Sequence, residues 1–163
     1  MRDQLDRVVF ALYRVLPEWL THRVVRTVMP KYTMGVIPFI TAEDGRVLLV
    51  RQSYRPDQWG APGGLCSRGE HPATTIVREA REEIGVLTVI VGEPAISVDP
   101  ELYKVQFVTR CRLADGLVEQ DATPSSREIV EVRWFAPDAL PPMLADVEGA
   151  WSALRAAERQ RSG

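Results

Sequence analysis

The stretch GGLCSRGEHPATTIVREAREEIGV, residues 63–86, constrains this chain more than any other. Pro72 suits the first position of a helix and Gly85 the residue just past its end, so the two bracket one helix. At about 100° per residue, Ala73, Ile76, Val77, Ala80 and Ile84 share an apolar face that must pack on a sheet. Glu79, Glu82 and Glu83 form a ridge along the margin of that face, with Arg78 and Arg81 expected on the far side. Like charges three and four residues apart destabilise a helix by about 0.2–0.5 kcal/mol per pair, and desolvation at a core margin worsens the repulsion. Such a ridge is either a solvated acidic face balanced by arginines or a place for a hard cation. Mg2+ suits the second case: it binds a few carboxylates, keeps several waters and takes substrate phosphates as further ligands.

The rest of the chain frames that helix. Its 163 residues suit one domain with a real core, and 45% apolar with 26% charged residues is ordinary globular composition. A net charge of −2 excludes a general binder of double-stranded nucleic acid. Cys66 and Cys111 form no CxxC pair, which argues against a disulfide framework or zinc site and fits a reducing cytoplasm. No apolar run reaches the ~20 residues of a transmembrane helix, and the N-terminus lacks a signal-peptide pattern. Helices are expected over 2–16, over 18–29 and over 144–160. Strands are expected near 33–42, 46–52, 87–98, 103–113 and 129–136, with another around Trp59. Without regular βα alternation, a doubly wound parallel sheet is not expected.

The spacing around the ridge then decides its meaning. Gly64, five residues, Glu70, seven residues and REAREEIGV at 78–86 resemble the Nudix box, Gx5Ex7REUxEExGU with U apolar, at every defined position. Seven of those positions demand one residue type. At about 7% each, chance agreement is on the order of one in 10⁸ per window. WGAPGG (59–64) is similar to the family's lead-in strand and EVRWF (131–135) to its closing strand.

The resemblance implies an α+β fold, a Nudix-type α/β/α sandwich around a mixed β-sheet, over residues 32–163. Residues 1–31 are then an extra N-terminal helical segment. It implies hydrolysis of a nucleoside diphosphate linked to another group X, with Mg2+ as cofactor and Mn2+ as a substitute. It makes Glu79, Glu82 and Glu83 metal ligands, with Glu82 or Glu83 doubling as base, and the Gly63 carbonyl a further ligand. Arg78 would orient a ridge carboxylate, Glu70 would brace the loop onto the helix, Gly64 would allow a tight turn and Gly85 would stop the helix. Family members often add an acid from a distant loop. Glu128 in SSREIVEVRWF is the first candidate, ahead of Asp99, Glu101 and Asp121.

Outside the box, Arg51 and Arg55 in VRQSYRPDQWG can meet phosphates as bidentate donors. Tyr54 reads as a solvated loop residue, Trp59 and Trp134 as core, and Tyr103 as either near the site or at a strand start. His22 and His71 have no partner pattern and receive no role. Residues 1–31 hold six Lys/Arg against three acids, too weak a balance to favour a membrane surface over self-packing or a homodimer interface. Two other functions compete. A non-catalytic nucleotide-sensing domain would tend to have a damaged box. An isoprenoid diphosphate isomerase would need a catalytic Cys and Glu in contexts absent here.

Overall fold

The computed structural model describes residues 17–163, and the chain divides into two compact units after Tyr32. The helix expected over 2–16 lies outside the described residues. In the first unit α1 (Glu18–Val28) follows Pro17 and stops ahead of Pro30, because proline offers no N–H and its ring obstructs the preceding turn. All described strands and the other two α-helices lie in Thr33–Gly163, with a 3-10 turn at Glu119–Asp121. In order the strands and helices are β1 (Thr33–Ile40), β2 (Val47–Gln52), β3 (Arg55–Gly60), β4 (Gly64–Leu65), α2 (Pro72–Ile84), β5 (Thr88–Asp99), β6 (Lys104–Leu113), β7 (Ile129–Phe135) and α3 (Ala145–Ser162).

The strands form two sheets. One is mixed, in the order β4-β1-β6-β5, with β1 and β6 parallel and the other pairs antiparallel. The second, β3-β2-β7, is antiparallel throughout. A bridge between Thr41 and Val47 joins them at the β1–β2 turn. Together they make the middle layer, because successive residues of β1 and β2 point to opposite sides. Val36, Ile40, Leu48 and Val50 pack with Ile76, Ala80 and Ile84 of α2. Ile37, Phe39, Val47 and Leu49 pack with Val147, Ala150 and Leu154 of α3. The unbroken apolar run at 47–50 is thus a strand covered on both faces. This is the α/β/α sandwich expected from the sequence. Trp59 packs edge-on against Phe135 at 4.8 Å, and Trp134 lines the core on the α2 side, as expected of both.

The ends of α2 hold it in register with the loop before it. Gly85 adopts φ 75° and donates its N–H to the Arg81 carbonyl, the left-handed stop that glycine takes without penalty. At the other end His71, given no role from the sequence, is the cap: its Nδ1 accepts the Ala73 N–H at 3.2 Å. His71→Ala is expected to lower stability by about 1 kcal/mol, the usual value of an N-cap, read as a fall in the urea midpoint.

Candidate active site

The three ridge glutamates meet different surroundings. Glu83 is buried at 8% exposure, Glu79 is half-buried and Glu82 is exposed. Burial pushes the Glu83 carboxyl up to about 7; the charges of Glu79, Glu128 and Glu82 push the same way, and a hydrogen bond from the Gly63 N–H opposes them. That bond is 3.0 Å long. Burial also raises Glu79, against the pull of Arg78.

Arg78 organises the ridge. Its Nε and Nη2 donate to the two oxygens of Glu70 at 2.9 and 3.0 Å. Its Nη1 donates to Glu79 Oε1 at 2.8 Å and to Glu82 Oε2 at 3.0 Å. The far-side position expected for Arg78 is therefore corrected. Residues four apart on a helix are neighbours, so the Arg78–Glu82 spacing already placed the guanidinium beside the ridge. Arg81 stays exposed. Glu70 also accepts the Ser67 N–H at 3.0 Å. Arg78 first, then that N–H, hold its carboxyl down at about 2. The pair fastens the loop to α2.

The two glycines before the loop differ in purpose. Gly63 has φ 152°, and a Cβ there would lie 2.3 Å from the Val36 carbonyl oxygen. Gly64 lies outside the left-handed region, but a Cβ on it would lie 2.4 Å from Glu79 Oε1. The backbone conformation expected of Gly64 is thus supplied by Gly63, and Gly64 supplies room for a carboxylate.

The remaining candidates divide. Glu128, the residue just before β7, is exposed and near enough for its charge to bear on Glu83. Asp99 accepts the N–H groups of Glu101 and Leu102 in the β5–β6 turn, and Asp121 accepts the Val118 N–H. Arg55 and Tyr54 line a cavity of about 210 Å3 together with Gly63 and Gly64. Arg51 does not line it: it pairs with Glu131 and lies 5.7 Å from the centre of the Trp59 ring. Tyr103 is exposed in the turn between β5 and β6 at φ 49°. Burial pushes the Cys111 thiol up to about 11, which makes it a poor nucleophile.

A model of the NUDIX domain family matches residues 31–156. The chain belongs to the Nudix hydrolase family. It is 30% identical over 118 residues to a MutT-like protein of Streptomyces ambofaciens, covering 72% of this chain and 73% of that one. It is 26% identical over 116 residues to the NAD-capped RNA hydrolase NudC of Pseudomonas aeruginosa, covering 71% of this chain but only 40% of that one. A solved ADP-ribose pyrophosphatase from Streptococcus suis aligns with a TM-score of 0.60 and 26% identity over 79% of this chain and 92% of that one. This Nudix chain is accordingly a hydrolase of the pyrophosphohydrolase kind. Among the described residues no helix is long and apolar enough to cross a membrane.

The Nudix donor set suits a hard divalent cation by its chemistry: three carboxylates of α2 beside a backbone kept free of side chains at Gly63 and Gly64. Among the described residues no three acidic, histidine or cysteine side chains converge as they stand, and Arg78 holds one oxygen each of Glu79 and Glu82. A dication beside Glu83 would reverse the push of burial and favour the carboxylate.

Proposed function

We propose that this protein hydrolyses the pyrophosphate bond of a nucleoside diphosphate linked to another group X, with Mg2+ bound at the α2 ridge and Mn2+ able to replace it. The products are a nucleoside monophosphate and either a phosphorylated X or pyrophosphate. The supporting observation is the approach of the Gly63–Gly64 backbone, which lines a cavity, to the half-buried carboxylate of Glu79 and the buried one of Glu83. Glu79, Glu82, Glu83, the Gly63 carbonyl and Glu128 hold the metal, which supplies charge neutralisation at the phosphates and a water of lowered pKa. Arg78 orients the ridge while Glu70 braces it. Glu82 or Glu83 accepts the proton of the attacking water. Arg55, which lines the cavity, meets a phosphate through its planar fork; Arg51 has its own carboxylate partner in Glu131 and is the weaker of the two substrate candidates.

The protein works in the cytoplasm on small nucleotides. Residues 1–31, outside the Nudix domain at 32–163, serve as a homodimer interface in this reading; a monomeric mass in light scattering at micromolar concentration would remove that assignment. Incubation with Mg2+ or Mn2+ and a panel of nucleoside triphosphates, nucleotide sugars, ADP-ribose, CDP-alcohols and capped RNA tests the activity. Cleavage of one class, lost in Glu82→Gln, is the expected result. Tight binding without cleavage of any member would instead make the domain a sensor.

A further inference from the structure

β5 ends the mixed sheet, with β6 on one side and, among the described residues, no strand on the other. A row of free N–H and C=O groups invites another strand, and proteins blunt such edges with charge, proline or a bulge. β5 keeps all three at its middle. Gly92 takes φ 76°, Glu93 and Pro94 follow it, and the register against β6 shifts between Val91 and Ala95. The flanks TVIV (88–91) and AISV (95–98) carry no charge and are rich in the β-branched residues that strands favour.

The two flanks are sheltered on opposite faces. Thr88 and Ile90 turn to the α2 side, where Thr88 is buried and Ile90 packs with the α2 cluster. Further along that face Ile96 and Val98 are bare, at 50% and 56% exposure. Ala95 and Ser97 turn to the α3 side, where Ala95 is buried. Asp99 on the same side stands opposite Lys104, which donates to Asp146 of α3 at 3.2 Å. On that face Val89 and Val91 are bare, at 39% and 43% exposure. Each flank therefore leaves two apolar side chains uncovered on the face its helix does not reach.

A twofold axis normal to the sheet closes both gaps together. Laid antiparallel against the same strand of a second copy, the first flank meets the partner's second. A bulge set against a straight flank would leave that flank unpaired, so the bulges oppose one another and the axis passes at Glu93. Val89 then faces the partner's Ser97, Val91 the partner's Ala95, Ile90 the partner's Ile96 and Thr88 the partner's Val98. Opposed residues share a face, so each bare side chain comes to lie beside a sheltered flank. The charge at the centre is balanced: Arg161 lies 3.6 Å from the Glu93 carboxylate and donates to the Glu93 and Pro94 carbonyls. We propose that β5 pairs edge to edge with β5 of a second copy of this chain, joining two mixed sheets into one. The contact is isologous, uses no residue of the Nudix box and is separate from the one assigned to residues 1–31. A strip ~40 Å long and ~10 Å wide covers about 400 Å2 on each copy, against the ~800 Å2 per partner of a standard interface. The dimer is therefore a weak one, and a cross-link is the way to trap it.

The full chain carrying both Val89→Cys and Ser97→Cys is incubated at high micromolar concentration with oxidised glutathione and run on a non-reducing gel, beside each single variant. Far apart on one strand, the two thiols cannot bridge within a copy. The double variant is expected to give about tenfold more covalent dimer than either single one, because the paired strands hold opposite thiols together. The single variants also contain Cys66 and Cys111, so they report what the native thiols contribute. Adding Val98→Lys, at an exposed position, sets a charge beside the partner's Thr88 and should return the yield to that of the single variants. No excess in the folded double variant overturns the edge contact, even where light scattering shows a dimer, which then belongs to residues 1–31. An excess that survives Val98→Lys is collision between exposed thiols and overturns it as well.

Discussion

Glu83→Gln is expected to lower turnover at least 10²-fold while making the metal-free protein more stable at and above pH 7. The first effect follows if Glu83 holds metal or takes the proton, since one acid–base group is worth about 10²–10⁴-fold. The second follows from its burial. The Glu83 carboxyl is raised from 4.5 to about 7, so the folded state keeps a proton that the unfolded chain has released. Below pH 4.5 both states are protonated and there is no penalty. As pH rises from 4.5 to 7 the unfolded state sheds the proton first, and folding stability falls. The full difference is about 3 kcal/mol, at 1.36 kcal/mol per unit. Glutamine carries no charge to bury and can still accept the Gly63 N–H. Thermal melts of the metal-free wild type should therefore show stability declining across this window, and the variant should lose that decline. Equal pH slopes in the two proteins would contradict the assigned environment; full turnover in Glu83→Gln and in Glu82→Gln would remove the base assignment.

Gly63→Ala and Gly64→Ala, one residue apart, are expected to fail in different ways. At Gly63 a methyl group would meet the Val36 carbonyl oxygen at 2.3 Å from a backbone at φ 152°. The obstacle is backbone in the middle of a sheet and cannot step aside. Strain of this kind costs about 1–3 kcal/mol from the dihedral alone, and the clash adds to it, so we expect a loss of about 3 kcal/mol or more in chemical denaturation. At Gly64 the obstacle is the Glu79 carboxylate at 2.4 Å, the far end of a flexible side chain. It can swing away, so the fold should survive with its unfolding midpoint little changed. The ridge would be disarranged, and metal affinity and turnover should drop about 10–100-fold, as for other residues that orient metal ligands. A Gly64→Ala chain with normal metal titration would show that Glu79 need not occupy its observed place.

The helical ridge was legible in the sequence because its information is local. Pro72, Gly85 and the spacing of Ile76, Ala80 and Ile84 are enough to draw α2 and to put Glu79, Glu82 and Glu83 on its margin. The apolar runs of β1 and β2 likewise announce strands covered on both sides. The direction of the apolar face alone puts Arg78 on the far side, but its long side chain reaches back to Glu82 four residues on, so the guanidinium sits on the ridge. His71 as a cap was visible in principle beside Pro72, but histidine is not among the usual capping residues.

What the sequence by itself determined is therefore the family, the sandwich of helices on a mixed sheet and the acid ridge, all of which rest on residues a few positions apart. Only the tertiary structure decided the different burial of the three glutamates, the engagement of Arg51 with Glu131 and the meeting of Lys104, Gln106 and Asp146 at one cavity. The physical reason is that burial and charge pairing depend on which distant strands and helices lie against one another. Asp146 meets Lys104 because α3 packs against the β6 face, and Glu83 is buried where it accepts the N–H of Gly63, twenty residues before it. No local spacing encodes either contact.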